Sequence, residues 1–343
     1  MEKPTIKLYH IRTFGEKISD TFDFVRENWR PLLKYLTYLM LPISLVETFI
    51  SNNFLSDYME FVQKIGQSVQ NKADTGEMLS WIGSMALMGI VQMLATMLLE
   101  AIVYTMMQQY EQRQQRLQGI TAEELRPGVL RMFGRQFILL LAGIVVLALF
   151  VLIAVPFLLI SPAFAFPFIV LLLVGAPLFV LVSPIYLFER ETGIVKAYTK
   201  SIRLGWNTWA GIVGVGLVLY IITSIISSIL TTPYYIMTLV KELLTTQATA
   251  TGFVSSFGYS AIQYVLGAVS SYCGNILMSL LYIGLAYQYG HACEKIDGVT
   301  VDQDIENFET LNDERCARAC SLSCTPWVLR RFAEVLQRTL NHE

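Results

Sequence analysis

Residues 192–232, TGIVKAYTKSIRLGWNTWAGIVGVGLVLYIITSIISSILTT, decide the fold of this chain. The first part has one apolar helical face, because its large apolar side chains recur every three or four residues. Basic residues occupy the opposite face, and an apolar run over 209–230 follows directly. This pattern predicts an amphipathic helix on the cytoplasmic bilayer surface that leads into a membrane span. The apolar face consists of Val195, Tyr198, Ile202, Trp206 and Trp209, and the basic face of Lys196, Lys200 and Arg203.

The composition indicates a membrane protein. Hydrophobic residues make up 54% of the 343 residues and charged residues only 15%, whereas soluble domains carry about a quarter charged residues. The apolar residues are concentrated in runs that can each cross a bilayer core, which takes roughly 20 residues. The first 30 residues are polar, which predicts that the chain has no cleavable signal peptide.

Six such runs predict an all-α polytopic membrane protein with six transmembrane helices and cytoplasmic interfacial amphipathic helices. Residues 137–188 contain no charge and are too long for one span, and Ser161-Pro162 predicts the turn between two. The predicted organisation is a lead and interfacial helix over 1–31, a membrane domain over 32–289 and a cytoplasmic tail over 290–343 with an amphipathic helix. The predicted spans are about 32–55, 78–107, 137–160, 164–188, 209–231 and 261–289.

Flanking segments add detail to this prediction. Thr13 and Glu16 have the spacing of a capping box at the start of the first interfacial helix. Pro31 predicts a bend before the first span, and residues 56–77 predict a polar loop with at most one short helix. A further interfacial helix is expected over 121–135, where Pro127 predicts a break.

The distribution of Lys and Arg predicts the topology. Of the 25 basic residues, all but Lys64, Lys72 and Lys241 fall in the termini and in the loops after the second and fourth spans. Cytoplasmic loops carry an excess of Lys and Arg. We therefore expect a bacterial inner (cytoplasmic) membrane protein of the multi-pass type with both termini in the cytoplasm.

The junctions between interfacial helices and spans suggest an internal repeat. FVRENWRPLL (24–33), RMFGRQFILL (131–140) and IRLGWNTWAG (202–211) occupy comparable positions before three predicted hairpins. Self-similarity of this kind predicts a three-fold hairpin repeat. The alternative is that amphipathic helices and tryptophans gather at membrane edges in any case.

The central stretch also resembles a known family. ERETGIVKAYTKSIRLGWNTWAGIVGVGLVLYII is similar to the pattern of the glycerophosphodiester phosphodiesterase membrane domain and related uncharacterised multi-span bacterial families. The resemblance covers about 40 residues and implies an architecture and a membrane role without an activity, since hydrolysis in that family belongs to a separate soluble domain. The matching positions are Glu191, Gly193, Ala197, Ser201, Leu204, Gly205 and Trp209.

Polar residues inside predicted spans are the candidate site residues. Glu100, Asn275, Gln92 and Glu47 would line a cavity if the protein moves a proton or solute. The alternative is that the glutamates reach the bilayer interfaces while Asn275 and Gln92 form hydrogen bonds between helices.

Two patterns of sulfur-containing residues resemble parts of metal sites. Met93 and Met97 share a helical face, and thioethers suit Cu(I), but methionine is more commonly apolar filler. Cys316, Cys320 and Cys324 recur every four residues, which departs from the usual zinc spacing. The sequence predicts no metal, no cofactor and no catalytic residue.

The sequence therefore predicts a non-catalytic inner-membrane protein with a structural, assembly or lipid-interacting role. The alternative is a transporter or permease for a small solute or lipid through a cavity between the hairpins. The expected partner is the lipid bilayer, with a membrane-protein partner or a second copy left open, and no nucleic acid.

Overall fold

The computed structural model describes residues 5–67, 75–113, 115–246, 251–254 and 256–301, and these residues contain helices and no strand. The chain divides into two compact units, Met1–Ala292 and Cys293–Glu343. The predicted tail helix and Cys316, Cys320 and Cys324 lie outside the described residues. The helices are α1 (Phe14–Gln67), α2 (Thr75–Gln112), α3 (Ala122–Ile160), α4 (Ala165–Val180), α5 (Val182–Phe188), α6 (Ile194–Thr246), α7 (Thr251–Val254) and α8 (Phe257–Asp297).

Among the described residues, six helical segments are long and apolar enough to cross a membrane, which confirms the predicted all-α, six-span class. Each overlaps one predicted span. The fourth combines a short 3₁₀ turn, α4 and α5. The segments are Phe14–Asn52, Leu79–Gln112, Ala122–Ile160, Pro162–Phe188, Ile194–Lys241 and Phe257–Asp297.

The first and fifth spans are continuous with the amphipathic helices that precede them, and a kink marks each junction. The backbone leaves helical geometry at Asn28 in α1 (φ −113°, ψ 19°) and at Thr208 in α6 (φ −124°, ψ 19°). Pro31 lies three residues after the first kink, where it has no N–H to offer the carbonyl of Glu27. The predicted bend thus lies three residues earlier than the proline itself.

Two helices extend further than the sequence predicted, and a third is continuous where the sequence predicted a break. The prediction of a loop over 56–77 is wrong for residues 56–67, because α1 continues to Gln67 through residues that favour helix, such as Met, Glu and Gln. Helix α6 continues past Pro233 to Thr246. The predicted break at Pro127 is also wrong, since α3 runs through it. The missing N–H of Pro127 leaves the carbonyl of the exposed residue Glu123 without a helical donor, and water can satisfy it there.

The predicted terminus signals are confirmed. The Thr13 N–H donates to Glu16 Oε2 (2.7 Å), and the Glu16 N–H donates to Thr13 Oγ1 (3.4 Å), which forms the capping box. The turn at Ser161-Pro162 separates α3 from α4, with the Ala163 N–H donating to Ser161 Oγ (3.3 Å).

Three segments bury side chains with the same spacing of four, three and four residues. Each series ends on a polar residue close to the junction with a span, and all members are buried except the half-buried Gln136. This shared spacing supports the predicted three-fold repeat, which remains a prediction. The series are Lys17, Thr21, Phe24 and Asn28 in α1; Leu125, Val129, Met132 and Gln136 in α3; and Ala197, Ser201, Leu204 and Thr208 in α6.

Candidate functional site

The amphipathic part of α6 packs against α4 through small residues. Ser201 Oγ donates to the carbonyl oxygen of Leu178 (2.5 Å), one of the last carbonyls of α4, which lack helical donors. A Cβ on Gly205 would lie 3.0 Å from the Leu178 Cα. Trp209 Nε1 donates to the carbonyl oxygen of Val174 (3.0 Å). Ser201, Gly205 and Trp209, which belong to the family pattern quoted above, therefore hold α6 and α4 together in this structure.

The predicted apolar face of the same segment is divided. Tyr198 and Trp209 contact α4, whereas its other three residues point away from the protein. Val195 is 77% exposed and Trp206 is 69% exposed, and Ile202 is exposed as well. The basic residues Lys196 and Arg203 are also exposed. An exposed apolar and aromatic face beside a basic one is typical of a helix that lies in the bilayer interface.

Glu100 is the centre of a polar cluster inside the membrane domain. It is buried, and its two carboxylate oxygens accept hydrogen bonds from Ser183 Oγ and Gln136 Nε2. Ser183 Oγ also lies 3.4 Å from Gln136 Oε1. The cluster joins α2, α3 and α5. A carboxylate here can hold helices together or take up and release a proton, which a coupled transporter requires.

A helix break and an arginine position Ser183. Helix α4 ends at Val180 and α5 begins at Val182, because Pro184 has no N–H to donate to the Val180 carbonyl. At the other end of α5, Arg135 lies 4.2 Å over the ring of Tyr186. A cation at a helix C-terminus satisfies carbonyl groups that lack helical donors. The Arg135 guanidinium donates to the carbonyls of Tyr186 (2.6 Å), Arg190 (2.8 Å), Glu189 (3.0 Å) and Thr192 (3.4 Å).

A second polar cluster joins α1 to α8. Asn275 Nδ2 donates to Glu47 Oε2 (2.8 Å) and to Ser44 Oγ (3.3 Å). Thr48 Oγ1 donates to Ser271 Oγ (3.4 Å) nearby. Glu47 is 9% exposed, and its other carboxylate oxygen, Oε1, is buried without a hydrogen-bond partner. This oxygen is the unsatisfied group of the cluster.

The structure brings two of the four candidate site residues together and separates the others. Glu47 and Asn275 are hydrogen-bonded to each other. Glu100 belongs to the other cluster, and the hydrogen bonds of the two clusters share no residue. Gln92 is exposed on α2. Sequence reasoning missed Gln136, Ser183 and Ser44, because a single polar residue in a span carries no information about its partner on another helix.

The N-terminal segment before α1, which the sequence predicted as a polar lead, joins α1 to α8. The buried Arg12 pairs with Asp20 (2.6 Å) and lies 4.7 Å over the ring of Tyr287. Its backbone N–H donates to His291 Nδ1 (3.0 Å). A Cβ at Gly290 would lie 2.1 Å from the carbonyl oxygen of Leu8, so the segment contacts α8 directly.

The buried Lys17 continues this contact. Its Nζ donates to Gln288 Oε1 (2.8 Å), and both residues are buried. Gln288 Nε2 lies 2.9 Å from the position that a Cβ on Gly211 would take. A single glutamine of α8 therefore contacts the amphipathic part of α1 and the first turn of the span in α6.

Within the described ranges, no group of three or more His, Cys, Asp or Glu side chains is placed to hold a metal ion. Met93 is exposed while Met97 is buried, so the two sulfur-containing side chains lie in different surroundings. No protein-family model, curated protein or solved structure matches the chain. The resemblance to the glycerophosphodiester phosphodiesterase membrane domain therefore stays a prediction.

Proposed function

We propose that this protein is a non-catalytic inner-membrane component of a bacterium with a structural, assembly or lipid-interacting role. The observation that carries the proposal is the pairing of buried polar groups with one another. Glu100 is held by Gln136 and Ser183, and Asn275 is held by Glu47 and Ser44. Hydrogen bonds of this kind fasten helices in a membrane, where no water is available to satisfy polar groups.

The outward surface of the amphipathic part of α6 is suited to contact with lipid headgroups, which supports the lipid-interacting role. The outward face of the amphipathic part of α6 carries Trp206, Ile202 and Val195 beside basic residues. The skew of Lys and Arg supports a cytoplasmic location for this surface and for both termini. A helix that places aromatic residues in the interface and cations near anionic headgroups gains affinity for the inner leaflet.

The transporter remains the alternative, and one observation favours it. Glu47 Oε1 is buried without a partner beside Asn275 and Ser44. An unsatisfied carboxylate oxygen inside a span is where a proton or a solute would bind.

Thiol accessibility at Ser44 tests the proposal against this alternative. Ser44 is 1% exposed, so Ser44→Cys would report on water beside Glu47, in a background that lacks the five native cysteines. The control is Thr199→Cys, since Thr199 is exposed on the amphipathic part of α6. With a small water-soluble methanethiosulfonate, a packed core predicts labelling at Ser44→Cys about 100-fold slower than at the control. Labelling at similar rates would overturn the packed core and favour the transporter.

A second variant that keeps Ser44 and retains Cys273 as its single cysteine serves as a separate control. Cys273 is half-exposed two residues before Asn275, so it samples the outer surface of α8 at a similar depth. Unfolding in sodium dodecyl sulfate should make the cysteine introduced at Ser44 react as fast as the Thr199→Cys control, which verifies that the thiol is intact.

A further inference from the structure

Three adjoining cavities follow one side of α1 from its kink into its span. Their volumes are about 630, 590 and 460 Å³, and Tyr35 lines all three. The first surrounds the kink and the segment 117–120, and the last lies between α1, α2 and the first turns of α3. We call these three cavities together the α1–α3 groove.

Hydrogen bonds and an ion pair hold the walls of the groove together. Tyr35 Oη donates to the carbonyl oxygen of Ile120 (2.5 Å), which ties the segment before α3 to the span of α1. Arg116 forms an ion pair with Glu27, and Tyr110 Oη donates to the same carboxylate (3.1 Å). Thr121 caps α3 by accepting the Glu124 N–H (3.4 Å). The groove is therefore built by long-range contacts between separate elements.

The groove has an excess of positive charge. Arg30, Lys34 and Arg126 line it and are exposed. In the described part of the chain, none of the three pairs with a carboxylate, whereas Glu27 in the same wall is engaged by Arg116. Three cations oppose two exposed acids, Glu123 and Glu27, and Glu27 is already paired with Arg116.

The same groove has apolar walls. The cavity of about 460 Å³ is lined largely by Tyr38, Leu39, Leu98, Val129 and Leu130. From Arg30 to Leu39 the helix axis advances nine residues, about 14 Å. Cations next to a long apolar wall match a molecule that carries a phosphate on an alkyl chain, since phosphate alone would gain nothing from the wall.

We propose that the α1–α3 groove binds one anionic phospholipid. Its phosphate contacts Arg30 and Lys34 at the kink of α1, Arg126 adds positive charge further along, and an acyl chain lies along Leu39 and Leu98. Trp29, which also lines the groove, sits where aromatic side chains anchor proteins at the headgroup level. This inference rests on the proposed lipid-interacting role and assigns it a site.

Native mass spectrometry of the full-length protein in detergent tests the site. Phosphatidylglycerol and phosphatidylcholine are titrated separately, and the equilibrium constant for the first bound lipid is measured. The test variant is Arg30→Gln/Lys34→Gln/Arg126→Gln. The control variant removes three exposed cations that line neither the groove nor the amphipathic part of α6, Lys7→Gln/Arg131→Gln/Arg190→Gln.

The groove variant should lose phosphatidylglycerol affinity by about tenfold or more, because each cation near an anionic headgroup contributes to the free energy of binding. The control variant should change it by less than about twofold, and neither variant should alter phosphatidylcholine binding. Equal losses in both variants would overturn the proposal, since binding would then depend on general charge. Displacement of the lipid by inorganic phosphate would also overturn it, by identifying a simple anion site.

Glu123→Gln gives a test in the opposite direction that does not depend on the stability of a triple variant. Removing the acid that lines the same cavity as Arg126 should raise phosphatidylglycerol affinity by about threefold. An unchanged or lower affinity would contradict the proposed position of the phosphate. These outcomes are independent of thiol labelling at Ser44, so a failed lipid site and a failed packed-core proposal can be told apart.

Discussion

The amphipathic parts of α1 and α6 bend into their spans in the same way with different side chains. Each has a kink residue with ψ 19°, and in each that residue bonds back to the carbonyl four residues earlier. Asn28 Nδ2 donates to the Phe24 carbonyl (3.0 Å), and Thr208 Oγ1 donates to the Leu204 carbonyl (2.8 Å). The buried positions 17, 21, 24, 28, 32 and 35 recur 180 residues later at 197, 201, 204, 208, 212 and 215.

The two segments differ in how they contact their neighbours. In α6, Ser201 and Gly205 allow close contact with α4. In α1, the buried Lys17 forms a hydrogen bond to α8 at the position equivalent to Ala197. The comparison teaches that one backbone bend serves two kinds of interface, one based on close packing and the other on buried hydrogen bonds.

The largest effect is expected from Gly205→Leu, which fills the contact between α6 and α4. Because a Cβ there would lie 3.0 Å from the Leu178 Cα, the helices must separate, and the free energy of unfolding should fall by about 3 kcal/mol. Thermal unfolding followed by circular dichroism in detergent measures it. The control is Val25→Leu at the equivalent, half-buried position of α1, where we expect less than about 1 kcal/mol. Equal losses would show that the two interfaces are alike.

A smaller loss is expected from Gln288→Leu, which breaks the hydrogen bond to Lys17. It removes an acceptor from a buried ammonium group, and the free energy of unfolding should fall by about 2 kcal/mol. The double variant Lys17→Met/Gln288→Leu should recover part of this loss, because the buried ammonium group is then removed together with the glutamine that it contacts. Strict additivity of the two single changes would contradict a direct interaction.

Thr208→Val tests the bond at the second kink. The substitution preserves shape and removes the donor to the Leu204 carbonyl, which should cost about 1 kcal/mol in the free energy of unfolding. Thr199→Val is the matched control, because Thr199 Oγ1 makes the same kind of bond to the Val195 carbonyl (3.1 Å) on an exposed surface. If both variants are equally stable, the bond at the kink contributes nothing beyond that of an exposed threonine.

The smallest effect is expected from Pro31→Ala. Helix α6 bends at Thr208 with Gly211, and no proline, three residues later, so the bend does not require one. We expect α1 to keep its kink and the free energy of unfolding to change by less than about 1 kcal/mol. Distances between spin labels at Asp23 and Leu33, measured by pulsed electron resonance, report the bend. A straightened α1 would identify Pro31 as its cause.

The sequence predicted local features well, because their causes lie within a few residues. The capping box at Thr13 and Glu16 depends on a spacing of three residues, and the turn at Ser161-Pro162 on two adjacent residues. The prediction of a loop over 56–67 was wrong, although it also rested on local sequence. The polarity of this segment suggested a loop, but polarity also suits a helix that continues beyond the apolar run, and composition does not separate the two.

The candidate sites were predicted less well. Glu47, Glu100 and Asn275 could be singled out as polar residues in apolar runs, but their partners could not. Gln136 and Ser183 lie 36 and 83 residues from Glu100 along the chain. Asn275 meets Glu47 across 228 residues. Pairing at these separations depends on which helices pack together.

The sequence alone determined that the chain is an all-α protein with six helices able to cross a membrane, because hydrophobic length and periodicity are local properties. It also determined where Lys and Arg are concentrated. The tertiary structure decided that the small residues of the α6 segment and Trp209 face α4, while Trp206 and Ile202 face outward. It also decided that Arg30, Lys34 and Arg126 line a single groove. The physical reason is that a helical pattern gives each residue a direction, whereas contacts between helices depend on packing that no single segment specifies.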